Sequence, residues 1–124
     1  MNSHDDLLVT FVNAANHHDF SLDVTLNVNG ALVSGTTISA ENYLESLAHK
    51  FERGNELSQT ISKKLSDASL SAKEQEEASY IHLKNTQIYN GDKEPTPSKE
   101  SFLWRGKMDE VDGFFIGRIS AEDE

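Results

Sequence analysis

The sequence predicts an α+β fold: an N-terminal helix, about five short antiparallel strands forming a bent sheet or small partly open barrel, and a helical insert between the second and third strands. Three observations carry that prediction. Apolar residues recur at helical spacing near the N-terminus; the period drops to two on either side of an Asn-Gly pair; and strand-like alternation returns from Ser79 onward after a long helical stretch.

The first helix is read over residues 5–19. Leu7, Leu8, Phe11, Val12 and Ala15 share one face and leave Asp6, Thr10 and Asn13 outside it. Ser3 suits the N-cap, and Asp5 and Asp6 put negative charge where the helix dipole favours it. Residues 21–38 then read as a β-hairpin. Leu22, Val24, Leu26 and Val28 alternate with polar residues up to Asn29-Gly30, the pair that a type I′ turn favours because both central positions need positive φ. A two-residue turn pairs Val28 with Ala31, Leu26 with Val33 and Val24 with Gly35, all on one apolar face.

The helical insert covers residues 40–70. Ser39 caps its first helix, with Tyr43, Leu44, Leu47 and Phe51 on one side and Glu41, Glu45, His49 and Glu52 on the other, and Gly54 as the stop. Leu57, Ile61, Leu65 and Ala68 mark a second helix with a narrower stripe, which fades into "SLSAKEQEEAS", read as frayed helix or loop. Residues 79–120 hold three strands: "SYIHLKNTQIYN", "SFLWRGK" and "GFFIGRIS". An exposed loop at 91–100 contains both prolines, "MDEVDG" joins the last two strands as a hairpin, and 121–124 form a short acidic tail. The layout is similar to Sm-like or SH3-like small barrels, in which a helix precedes five strands, although the insert departs from that pattern.

Composition sets the bounds on function. A chain of 124 residues fits one domain, spanning 1–124, with its own core. A net charge of −10 argues against nucleic acid or an anionic membrane as partner, since both would be repelled over most of the surface. No apolar run approaches the length of a membrane span, and the "MNSHDDLL" start lacks the basic residues of a signal peptide. The absence of cysteine removes disulfides and thiolate metal sites and fits a cytoplasmic protein. Charge is uneven: residues 1–38 carry four acids and no Lys or Arg, whereas 100–124 carry seven acids against three bases.

Few groupings point to chemistry. Asp109, Glu110 and Asp112 invite a metal, but an EF-hand loop needs ligands at alternate positions, and Phe114 and Phe115 fall where the next ligands belong. A solvated turn that uses Asp and Gly for their backbone preferences explains them better. Glu41, Glu45 and His49 are spaced one helical turn apart, and the polar face of an amphipathic helix accounts for them without an ion. His82 falls on the less apolar face of its strand with Tyr80 and Lys84, with no nucleophile in recognisable context: there is no G-x-S-x-G, no glycine-rich phosphate loop and no H-E-x-x-H. The residues predict no catalytic group, metal or cofactor. Trp104-Arg105 has the form of a base-stacking platform, yet the acids around it deny it the basic groove such a platform needs. The last strand is apolar on both faces, Phe115 on one and Phe114 and Ile116 on the other, as expected of a strand that is doubly buried or lies at an interface. Trp104, Arg105, Phe114, Phe115, Ile116 and Arg118 are therefore the expected partner-binding residues.

The runs "FSLDVTLNVNGALVSGTTISAENYLE", "YIHLKNTQIYNGD", "TPSK" and "WRGKMDEVDGFFIGRIS" resemble gas vesicle accessory protein U, across Phe20 to Ser120 and most weakly in Asn55 to Ser79. That resemblance implies a cytoplasmic, vesicle-associated, non-enzymatic accessory protein of gas-filled buoyancy shells, a family associated with gathering vesicles into clusters. Its implied partners are the shell protein and further copies of itself. A structural factor in vesicle assembly is the alternative; a small-barrel interaction adaptor and an Sm-like nucleic-acid module rank lower.

Overall fold

The computed structural model describes residues 6–72, 79–90 and 102–119. Its elements are α1 (Asp6–His18), β1 (Asp23–Val28), β2 (Ala31–Ile38), α2 (Ala40–His49), α3 (Glu56–Ala72), β3 (Tyr80–Tyr89), β4 (Phe102–Lys107), a 3-10 turn at Met108–Glu110 and β5 (Gly113–Ile116). The Ser3 cap, the 91–100 loop and the 121–124 tail expected from the sequence lie outside the described residues.

Local chemistry explains the first half. α1 stops where Asp19 adopts φ 52°, a left-handed position that an aspartate tolerates better than most residues. Asn29 and Gly30 take φ of 52° and 90°, the double positive that a type I′ turn requires. The resulting register pairs Val28 with Ala31, Leu26 with Val33 and Val24 with Gly35, as the alternation predicts. Ser39 starts α2, its hydroxyl accepting from the Asn42 amide at 2.9 Å. α2 ends at His49, so Phe51 falls in the turn that follows and not on the helix. α3 continues to Ala72, and the helix thus includes the "SLSA" that reads from sequence as fraying.

The five strands form one antiparallel sheet in the order β4-β3-β2-β1-β5. The expected closing hairpin is therefore not formed: β4 pairs with β3 at one edge, and β5 pairs with β1 at the other. Residues Met108 to Asp112 cross between the edges. A flat five-strand sheet would hold its outer strands about 19 Å apart, four spacings of about 4.8 Å. A short link containing a 3-10 turn, which rises only about 2 Å per residue, bridges that distance only if the sheet curls. The result is a bent, open sheet, with no β4–β5 ladder among the described residues.

A bulge in β3 contributes to the bend. Between the pairs Thr36–Lys84 and Ser34–Gln87, β3 holds one residue more than β2. Asn85 sits there at φ 52°. The extra residue switches the parity of the strand, so that Ile81 and Leu83 before it and Thr86 and Ile88 after it share a face. That face builds the core with Leu8 and Val12 of α1, Val24, Leu26 and Val33 of the hairpin, and Met108 and Val111 of the cross-link. Met108 is fully buried, so the link fills the core as well as joining the edges. α2 and α3 pack against each other, and α2 also reaches the opposite face of β3.

Candidate functional site

The structure divides the six expected partner-binding residues between the two edges of the sheet. On β4, Trp104 lies opposite Leu83 and packs against the core, half-buried. Its ring extends over Gly106, where a Cβ would come within 2.2 Å of the indole, so the close approach depends on glycine. Arg105 lies opposite His82 on the other face. On β5, Phe114 faces inward and meets Phe11 of α1 edge to face, ring centroids 6.3 Å apart. Arg118 belongs to a segment that turns at Gly117 and folds back over the sheet face opposite the core. Its guanidinium donates to the Thr36 hydroxyl and the Asn85 carbonyl, and beside it the Ile119 amide donates to the Ser34 hydroxyl. Tyr89 adds a hydrogen bond from its hydroxyl to the Ile119 carbonyl.

That leaves Phe115 and Ile116, 50% and 52% exposed. They stand on opposite faces of a strand whose inner side pairs with β1 through Thr25 and Val24 and whose outer backbone edge has no strand beside it among the described residues. A short, apolar, uncharged edge of this kind offers both side-chain area and unsatisfied backbone groups to another molecule. The acids before it do not compete for that role. Asp112 accepts from the Asn29 amide at 3.0 Å while its own amide bonds the Asn27 carbonyl at 2.8 Å, so this carboxylate clamps the cross-link to the hairpin turn. Among the described residues, no three His, Asp or Glu side chains are grouped to hold a metal. His49 pairs with Glu52 at 2.8 Å and not with Glu45.

A second feature, which the sequence reading did not assemble, lies at the β4 edge. Between the α2–α3 pair and the sheet lies an open-sided pocket of about 440 Å³, whose wall includes Asn16, Leu44, Tyr80, His82 and Arg105. The Arg105 guanidinium lies 3.9 Å from the Tyr80 ring centroid, and its Nε donates to His82 Nε2 at 3.2 Å. The Tyr43 ring lies 4.6 Å from the imidazole, which is only 4% exposed. Burial, helped by the adjacent Arg105 charge, lowers the His82 pKa to about 4. The ring is therefore neutral near pH 7; with Nε2 accepting, Nδ1 carries the proton, and that buried donor has no partner among the described residues. The alternation of Tyr80 with His82 was the available signal in the sequence, but the β3–β4 register and the helices above it were not readable there.

The family described as Gas vesicle protein GvpU-like matches residues 5–119. No curated protein matches, and no solved structure matches. Among the described residues no helix is long and apolar enough to cross a membrane.

Proposed function

Given that the chain belongs to the GvpU-like family of gas vesicle proteins, we propose that it is a non-enzymatic accessory protein that associates with gas vesicles and promotes their clustering through self-association and shell contacts. The observation that carries this reading is the β5 edge, where Phe115 and Ile116 are half exposed beside a backbone edge that no strand covers among the described residues. A molecule that links two shells must be at least bivalent, and a small domain gains reach most simply by binding copies of itself. Strand addition at an open edge joins copies with main-chain hydrogen bonds while apolar side chains add area.

The −10 charge opposes such association at low salt. As the Debye length falls from about 10 Å at 0.1 M to about 3 Å at 1 M, the repulsion fades and association grows. Light scattering of purified protein across a salt series tests this, with growth expected as salt rises. Scattering fixed at the monomer value, together with no binding to purified vesicles, overturns it. Deletion of the gene separates clustering from an assembly role: dispersed but intact vesicles support clustering, and loss of vesicles supports assembly.

A further inference from the structure

We propose that the pocket between the helical insert and the β4 edge binds a small organic carboxylate, gripped by Arg105, with its apolar body against Leu44 and Ala68. This is independent of the β5 edge. Among the described residues, Arg105 has no carboxylate partner. It is held instead by two uncharged groups, the Tyr80 ring and His82 Nε2. Nε is committed to His82, and among the described residues the two terminal nitrogens have no hydrogen-bond partner, which leaves the fork that takes one planar carboxylate through two parallel bonds.

The other walls agree with that ligand. Asn16 accepts from the Ala40 amide through Oδ1, which leaves its Nδ2 as a donor on the pocket wall. Arg105 is the only charged side chain lining the pocket among the described residues, so it matches a monoanion better than a phosphate dianion. Leu44 and Ala68 supply apolar surface for the rest of the molecule.

N-acetyl-leucine, N-acetyl-leucinamide and inorganic phosphate, titrated into the full chain and followed by amide and imidazole NMR shifts, test the proposal. N-acetyl-leucine is expected to give saturable shifts at Asn16, His82 and Arg105, and the amide to bind at least about tenfold more weakly, as the loss of one charge-assisted contact predicts. Arg105→Gln should weaken N-acetyl-leucine by a similar factor. Should that variant fold poorly, Ala68→Phe fills the pocket from an exposed helix position, leaves Arg105 in place, and should also abolish binding. Equal binding of acid and amide, tighter binding of phosphate, or unchanged affinity in Ala68→Phe overturns the proposal.

Discussion

At the residue scale, His82 ties pH to stability. The unfolded chain protonates this imidazole near its ordinary pKa of 6.5, whereas the folded chain holds it neutral down to about 4. The neutral ring supports folding fully above 6.5, and the support is lost as pH falls from 6.5 towards 4, because the unfolded state takes up the proton first. The gap corresponds to about 3 kcal/mol. Urea unfolding at pH 7 and pH 4.5 should show that loss in the parent and a smaller one in His82→Phe; an equal loss in both would assign the acid sensitivity to other groups. A second residue-level consequence concerns Gly106. Gly106→Ala puts a methyl group where the Trp104 ring lies, so the indole must swing out; tryptophan emission should shift to longer wavelength, and an unshifted spectrum would contradict the packing described.

At the element scale, two features set the shape of the sheet. Asn85 occupies a left-handed position in the bulge of β3, so Asn85→Val should cost about 1–2 kcal/mol in urea unfolding, since a β-branched residue resists that conformation. Met108→Ala should cost about 2–5 kcal/mol, the range for emptying a fully buried methionine site. A value near zero there would mean the cross-link is not part of the core. How far such elements were legible depends on the range of their contacts. The β1–β2 hairpin was readable to the residue because Asn29-Gly30 and the alternation of Val24, Leu26 and Val28 fix its register locally. The pairing of β5 with β1 was not, since it joins Thr25 to Phe115 across most of the chain and depends on how strongly the whole sheet curls. Read locally, "MDEVDG" has the composition of a hairpin turn; its Met108 and Val111 are the only hint that it passes through a core. The pocket was hidden for the same reason. Tyr80 and His82 were placed together by strand period, but only the fold brings Tyr43 and Arg105 to them.

At the scale of the whole molecule, a net charge of −10 coexists with exposed apolar side chains, among them Phe115 and Ile116 at the β5 edge and Leu57 and Leu70 on α3. On the proposed reading, charge keeps copies apart and the β5 edge draws them together, so ionic strength decides which prevails. Such a balance would give the proposed clustering a physical control without any conformational change. The pocket at the opposite edge lies outside that balance, and filling it should leave salt-driven association unaltered.

The most direct measurement mixes purified gas vesicles, stripped of associated protein, with the full chain or with Phe115→Lys at high salt, and counts clusters by light microscopy. A matched melting temperature for the two proteins confirms that the variant is folded. The account predicts clusters with the parent protein and dispersed vesicles with Phe115→Lys; equal clustering by both would contradict it.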